Sequence, residues 1–357
     1  MFTCCSKYDK RNRFPLIFCM RGVKMGVVTL KDIARECGLS FSAVSKALRG
    51  SSEIGAETRQ KVEETAHRLG YTVNVSARML RTKSSKSIGI IFEDITGSGL
   101  QHQYFAQIFD SMNVTANSRG YDLIFLNGTR HDYYYDMKSR GCDGVVICAT
   151  DFARPDVKKI LSEKVPVAVL DCDIEGIPSV LSDNEAGVRS LVRHILALGH
   201  KKVAFIHGES SFVTRERMDT FVCVMEEAGC SVPGGYLLQG RYHDPALSGE
   251  ATERLLSLPD IPTCIIYPDD FSALGGIQAL AGHCLIPHRD ISIAGYDGIL
   301  LSQLLTPPLT TYEQNARELG IKLIELLLKS VSGTDVSSAT VRVKGRLIQG
   351  GSVCDIR

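Results

Sequence analysis

The hydrophobic rhythm of the chain changes near residue 87. Between residues 29 and 70, apolar positions recur every third or fourth residue, the spacing of an amphipathic helix. LKDIAREC and FSAVSKAL predict two short helices joined by a GLS turn. AETRQKVEETAHRLG predicts a longer one that closes on Gly70. NVSARMLR, residues 74–81, predicts one more short helix, followed by the polar, basic linker TKSSKS. Beyond Ser87, short runs rich in β-branched residues take over: IGIIF, YDLIFL, DGVVICA, VPVAVLD, KKVAFIHG, TCIIYP and DISIAGYD. They alternate with helical stretches such as YFAQIFDSMNVTANSRG, NEAGVRSLVRHILALG and SALGGIQALAGH. Such alternation predicts βαβ units and parallel sheets. A weak midpoint near residue 190 divides the pattern in two. The expected fold is a small all-α head plus an α/β body of two doubly wound parallel-sheet lobes. A ligand in such a body sits at the carboxyl ends of the strands, in the cleft between lobes.

Composition narrows the class. The 357 residues suffice for two or three domains, and 44% hydrophobic with 23% charged residues is ordinary for globular proteins. Wholesale disorder, a collagen-like fibre and a coiled-coil rod are excluded. The formal net charge of +1 hides an asymmetry. Residues 1–25 carry +5, residues 26–83 carry +4 and residues 84–357 carry −8. A basic head on an acidic body points to an anionic partner for one part only, the plainer alternative being a chance excess of surface Lys and Arg. The twelve cysteines include no Cys-x-x-Cys pair, which argues against a zinc module or a thioredoxin-type site. Cys148 and Cys264 lie in apolar runs and read as small buried hydrophobes in a reducing compartment. No apolar run approaches the roughly 18 residues of a membrane span. FPLIFCM lacks a small-residue cleavage site, so a cytoplasmic location is expected. Ordered pattern begins just after Met25, and residues 1–25 read as a basic extension, either disordered or an artefact of start-site choice.

Residues 30–48 have the order of a helix-turn-helix. Ile33 and Ala34 face inward, Gly38 supplies the turn, Leu39 plugs the core and Ser40 caps the second helix. Val44 and Leu48 also face inward. Phe41, Ser42, Ser45, Lys46 and Arg49 are left outward, where a recognition helix presents side chains to the major groove. The bland alternative is an αα-hairpin with a solvated polar face. NVSARMLR weakens that alternative, because Leu80 flanked by Arg78 and Arg81 has the form of a minor-groove wedge.

TLKDIARECGLSFSAVSKAL, TRQKVEETAHRLGY, NVSARML and SIGII, continued by LALGHKKVAFIHG, DDFSALGGIQAL, DISIAGYDG, TPPLTTYEQ and LIQGGS, resemble the lactose-repressor/galactose-repressor (LacI/GalR) family of bacterial transcription regulators. The resemblance covers roughly residues 26–352. It implies a helix-turn-helix DNA-binding domain at 26–73, a hinge helix and linker at 74–87, and a two-lobed, periplasmic-binding-protein-like domain for effector binding and dimerisation at 88–357. It also implies a homodimer on a near-palindromic double-stranded DNA operator, controlled by a small molecule, a sugar or sugar derivative. Phe41, Ser42 and Lys46 match the family's base-reading positions, with Arg49 beside them on the outward face. Thr29, Ser40, Ser45 and Thr58 match phosphate contacts, and Asn74, Ala77 and Leu80 match the hinge helix. In the cleft, Arg217, Asp297, Asp269, Tyr242, Asp171 and Gln314 match effector-contacting or pocket-edge positions. Carboxylates with one arginine suit vicinal hydroxyls, and an aromatic face suits a sugar's C–H side. For Asp269 and Asp270 a helix cap, and for Asp297 a turn, are the structural alternatives. Two departures from the family pattern stand out. LIQGGS puts Gly350 at a usual arginine, and EDITGSGLQHQYF lacks the common Asn-Pro-Phe-Phe.

Other chemistries find little support. No Gly-x-Ser-x-Gly elbow, Walker A loop, Gly-x-Gly-x-x-Gly or His-Glu-x-x-His occurs. The nine histidines show no metal spacing, so neither catalytic residues nor a metal or other cofactor is expected. DYYYDMK reads as an exposed helix face. A solute-binding protein of the same body fold is the rival function. It would need a cleavable signal and no head. A hydrolase on this fold would need a nucleophile–base pair, and none is visible.

Overall fold

The computed structural model describes residues 28–71, 84–93, 99–128 and 132–357. The extension at 1–25 and the hinge positions Asn74, Ala77 and Leu80 lie outside them. The chain divides into two compact units, Met1–Arg78 and Met79–Arg357.

In the head, α1 (Leu30–Cys37), α2 (Phe41–Ala47) and α3 (Ala56–Leu69) pack pairwise. Each boundary has a local cause. The Thr29 N–H and hydroxyl both donate to the Asp32 carboxylate, at 2.9 and 2.7 Å, which places a negative charge in the first turn of α1. Gly38, at φ +70°, ends α1 in the left-handed conformation that side chains disfavour. Ser40 Oγ then accepts the Ala43 N–H at 3.1 Å and opens α2. Ile33, Ala34, Cys37, Val44, Ala47, Val62 and Ala66 form the core. Ser40→Ala should cost the head about 1 kcal/mol, seen as a lower midpoint for its unfolding. An unchanged midpoint would mean that the cap contributes nothing.

The body holds two six-stranded sheets. The first lobe contains β1 (Ser87–Phe92), β2 (Asp122–Phe125), β3 (Gly144–Ala149), β4 (Val167–Leu170), β5 (Ser179–Ser182) and β11 (Thr340–Val343). They run in the order β11-β5-β4-β3-β1-β2, and all neighbours are parallel. Helices α4 (Gln103–Ser118), α5 (Tyr133–Arg140), α6 (Pro155–Ser162) and α12 (Ala316–Val331) flank this sheet. The second lobe contains β6 (Val203–His207), β7 (Leu237–Gln239), β8 (Cys264–Ile266), β9 (Ser292–Asp297), β10 (Thr310–Glu313) and β12 (Arg346–Ile348). Their order is β12-β10-β9-β8-β6-β7, with β12 antiparallel to β10 and the rest parallel. Its helices are α7 (Asn184–Ala197), α8 (Phe212–Glu227), α9 (Pro245–Leu256), α10 (Ala273–Gly282) and α11 (Leu300–Leu304).

Each sheet is covered on both faces, which is why its central strands read as unbroken apolar runs. In β3, Val145 and Ile147 enter one core while Val146 and Cys148 enter the opposite one. Cys264 and Ile266 face one core of the second lobe, and Ile265 faces the other. Both cysteines act as small buried hydrophobes, as their runs suggest.

Two features differ from the sequence expectation. The chain crosses between lobes three times, after β5, after β10 and between β11 and β12, rather than at one midpoint near residue 190. The cause is α12, whose Leu319, Leu323, Ile324 and Leu327 complete the first lobe's core although the helix follows second-lobe strands. DYYYDMK is not an exposed face throughout: Tyr133, Asp136 and Met137 are buried, while Asp132, Tyr135 and Lys138 are exposed. The Arg154 guanidinium lies 4.9 Å from the centre of the Tyr133 ring.

Helix α12 approaches α4 closely at Gly320. A Cβ there would lie 2.1 Å from Ser111 Oγ and 2.4 Å from the Ile108 carbonyl oxygen. The serine can rotate away, but the backbone carbonyl can move only with its helix. Gly320→Ala should therefore destabilise the body by about 1–3 kcal/mol, measured by denaturant unfolding. A neutral effect would show that the two helices separate freely.

Candidate functional site

On the head, Phe41 and Ser42 occupy the first turn of α2 and are exposed, as is Arg49, whose Nε donates to the Ser45 carbonyl oxygen at 2.8 Å. Lys46 is half-buried and forms an ion pair with Glu53. Thr29 is exposed at the start of α1, Ser40 is exposed at the start of α2, and Thr58 is half-buried in the first turn of α3. Ser45 departs from its expected outward position and is only 7% exposed. The short α2 packs against both α1 and α3, so its buried arc is wider than a single helical stripe.

In the body, the carboxyl ends of the strands from both lobes surround a cavity of about 620 Å³. Asp171 follows β4, Asp297 ends β9, Gln314 follows β10, Arg217 lies on α8, and Tyr242 follows β7. All five expected residues line the cavity. Asp171 and Asp297 adopt positive φ, +50° and +101°, a backbone region costly for most side chains and best tolerated by Asn and Asp.

Hydrogen bonds orient these groups. The Tyr104 hydroxyl donates to Asp171 Oδ2 at 3.1 Å, and the Ser182 N–H donates to Asp171 Oδ1 at 2.7 Å. Gln314 Nε2 donates to Asp297 Oδ1 at 2.6 Å. Arg217 is buried. Its Nε donates to Asn184 Oδ1 at 2.8 Å, its Nη1 donates to the Pro268 carbonyl oxygen at 3.1 Å, and its guanidinium lies 3.8 Å from the centre of the Tyr296 ring. Tyr242 is placed by its hydroxyl contact with Thr214 at 3.0 Å and by its N–H, which donates to Glu209 at 3.1 Å. Only glycine fits beneath it at position 208, where a Cβ would meet the ring at 2.1 Å.

Burial pushes the Asp171 carboxyl up from the usual range, against the pull of the Ser182 N–H, Arg217 and the Tyr104 hydroxyl. Burial, and then the charge of Asp269, push Asp297 up as well.

Asp269 does not line the cavity. Its carboxylate accepts the His243 N–H at 2.8 Å, the Ser272 N–H at 2.8 Å and the Ser272 hydroxyl at 2.7 Å. Burial acts to raise its carboxyl, but the His243 side chain and the two N–H donors hold it below the usual range. It shapes the wall behind His243 and caps the turn into α10, the structural alternative that its sequence context allowed. Asp270 accepts the Thr311 hydroxyl and the Ile299 N–H.

The cavity also brings in residues that the sequence did not single out: Phe92, Glu93, Tyr104, Phe105, Phe152 and His243 among them. Tyr104, Phe105 and His102, which stacks on His243, belong to EDITGSGLQHQYF and its continuation into α4. The departure from the family pattern in that segment was the one signal pointing to them.

Residues 29–74 match the family described as "Bacterial regulatory proteins, lacI family", and residues 192–353 match the "Periplasmic binding protein-like domain". The chain is 30% identical to a probable HTH-type transcriptional repressor, ExuR, of Bacillus subtilis, over 88% of this chain and 95% of that one. It is 30% identical to catabolite control protein A of Priestia megaterium, over 90% and 97%. Among solved structures, the lac repressor dimer bound to operator and the anti-inducer ONPF superposes with a TM-score of 0.80 and 26% identity, covering 92% of this chain and 100% of that one. Among the described residues, no helix is long and apolar enough to cross a membrane. With a helix-turn-helix head, a two-lobed body and full-length relatives of the same plan, the chain belongs to the LacI family of bacterial regulatory proteins.

Proposed function

We propose that this protein is a cytoplasmic transcriptional repressor that binds a near-palindromic operator as a homodimer and releases or gains it when a small carbohydrate occupies the cleft. The observation that carries the effector class is the convergence of Arg217, Asp171, Asp297 and Tyr242 on one cavity. Glu93, Asp151 and Glu209 line it too, so carboxylates far outnumber the single arginine. That balance favours a neutral polyhydroxylated ligand over a phosphorylated one, because Arg217 is the cavity's one guanidinium to pair an anion, while Asp151 and Glu209 would repel it and Glu93 is already paired with Arg154. The aromatic side chains supply flat apolar faces for the C–H side of a sugar ring. The relatives are named as transcriptional repressors and a control protein, which supports regulation rather than catalysis. The operator-bound dimer of the superposing lac repressor supports the partner and the assembly. Effector binding acts by changing how the lobes close, and closure resets the spacing of paired hinges in the dimer.

Phe41, Ser42 and Lys46 are proposed to read bases, and Thr29, Ser40, Ser45 and Thr58 to position the phosphate backbone, the buried Ser45 hydroxyl being the least suited to that role. Asn74, Ala77 and Leu80 are proposed to form the minor-groove hinge. Lys46 must leave Glu53 to reach a base edge, which costs little because exposed ion pairs contribute little. Lys46→Ala should weaken binding to the protein's own upstream DNA by about tenfold and relax discrimination at one base position. Fluorescence anisotropy on the full chain, with a panel of neutral sugars and sugar phosphates, tests both halves. Affinity for upstream DNA no greater than for random DNA would overturn the repressor reading. A response to phosphorylated sugars alone would overturn the neutral effector.

A further inference from the structure

His102, His243 and Asp297 come from different parts of the chain and meet at one side of the cleft. His102 immediately precedes α4 of the first lobe, His243 follows β7 of the second, and Asp297 ends β9 of the second. One potential ligand atom from each lies within 4.8 Å of the others. The two imidazole rings are 3.6 Å apart between centroids and tilted by 43°. His243 holds φ +56° and Asp297 φ +101°, so two of the three sit on backbone that side chains seldom adopt. Strain of this kind persists where surrounding structure fixes it, typically at binding sites.

We infer that a divalent first-row transition cation binds across the cleft, held by His102 of the first lobe and by His243 and Asp297 of the second, with a further coordination position open to the cavity. The ligand set carries the choice of ion. Two imidazoles with one carboxylate suit zinc and its neighbours. Calcium and magnesium prefer all-oxygen shells.

The groups behind the ligands fit as well. The Asp269 carboxylate lies 3.7 Å from His243 Nδ1 and accepts the His243 backbone N–H. The negative charge beside Nδ1 favours the proton on that nitrogen, which leaves Nε2 for the metal. Gln314 Nε2 occupies Asp297 Oδ1, which assigns Oδ2 to the metal. The carboxylates of Asp171, Glu209 and Asp297 line the same cavity with only Arg217 against them, so a cation relieves their mutual repulsion.

Geometry gives the ion a consequence. Bonds of about 2.1 Å in a tetrahedral shell set ligand atoms about 3.4 Å apart. The ligands come from both lobes, so a bound ion ties His102 of the first lobe to His243 and Asp297 of the second. The cation is a staple that favours the closed cleft. It stands whether or not the effector is a sugar.

The test titrates Co2+ into full-length protein freed of metal by chelation and dialysis. One Co2+ per chain is expected, with a visible ligand-field band of nitrogen and oxygen ligation, no thiolate charge transfer, and displacement by Zn2+. His102→Gln and His243→Gln should each remove the band, while His283→Ala should keep it, because His283 is half-exposed and pairs with Glu253 outside the cleft. Circular dichroism of the metal-free variants checks the fold, and Asp297→Asn replaces any variant that misfolds. A band that persists in the cleft variants overturns the assignment. So does a thiolate band, or the lack of saturation at one ion per chain. The readout is metal binding alone, so its failure leaves the effector reading standing, and a missing sugar response leaves the metal site standing.

Discussion

Ile33→Ala should abolish operator binding while leaving the body folded. Ile33 is fully buried at the centre of the head, among Ala34, Cys37, Val44, Ala47, Val62 and Ala66, with Leu30, Leu39, Leu48, Ile54, Leu69 and Tyr71 packed around them. Truncating a buried isoleucine to alanine typically costs about 2–5 kcal/mol, part lost transfer energy and part cavity. Stabilities run near 0.05–0.15 kcal/mol per residue, so a head of this size holds only about a few kcal/mol in all. The two magnitudes are equal, and one substitution suffices to unfold the unit. The body has its own four cores and shares no core residue with the head. Anisotropy should show operator affinity reduced to the level of random DNA, while the unfolding transition of the body keeps its midpoint. Operator affinity within about threefold of the parent would mean that the head tolerates the cavity, against the balance just drawn.

The same core explains which parts of the fold were legible in the sequence. The head follows from Ile33, Val44 and Val62 at helical spacing and from Gly38 and Gly70 at positive φ, all local signals. The seven apolar runs of the body are all strands, because a parallel strand covered on both faces has no polar side to hide it. Five further strands escaped. SVLS, LLQ, TTYE, TVRV and RLI are three or four residues long, and TVRV lies at a sheet edge with exposed positions. Nothing local in α12 states that it returns to the first lobe, since that depends on the crossings between lobes. The cleft divides in the same way. Arg217, Tyr242, Asp171, Asp297 and Gln314 occupy recognisable motifs at strand ends and helix starts, and the structure brings them to one cavity. His102 and His243 meet only because two lobes face each other, and no spacing along the chain could reveal that. Asp269 shows the converse: a carboxylate beside the site in sequence, but committed to His243 and Ser272 in space.

Arg217→Lys should leave operator binding intact and weaken the response to the effector by about a hundredfold. Arg217 joins the ligand space to the first crossing between lobes. Its Nε bonds to Asn184, the first residue of α7 after the chain leaves the first lobe, and Asn184 Nδ2 donates to Glu216 at 3.3 Å. Glu216 in turn pairs with Arg342 on β11, a first-lobe strand, at 2.8 Å. A ligand that engages the guanidinium therefore pulls on a network that reaches both lobes. The bonds of Nε and Nη1 to Asn184 and Pro268 use two of the five guanidinium N–H donors, so three remain for the ligand hydroxyl expected there, those of Nη2 among them. A charge-assisted hydrogen bond of this kind is worth about 1.5–3 kcal/mol, and each 1.4 kcal/mol is tenfold in affinity. Lysine keeps the charge but loses the planar fork and its stacking on Tyr296, so it removes the ligand contact without leaving an empty buried pocket. Alanine would instead leave Asn184 Oδ1 and the Pro268 carbonyl buried and unsatisfied, and a fall in body stability would confuse the result. The dose of effector needed to change operator occupancy should rise about a hundredfold in Arg217→Lys, with operator affinity in its absence unchanged. A loss of operator affinity in the folded variant, or an unshifted dose, would place the effector elsewhere.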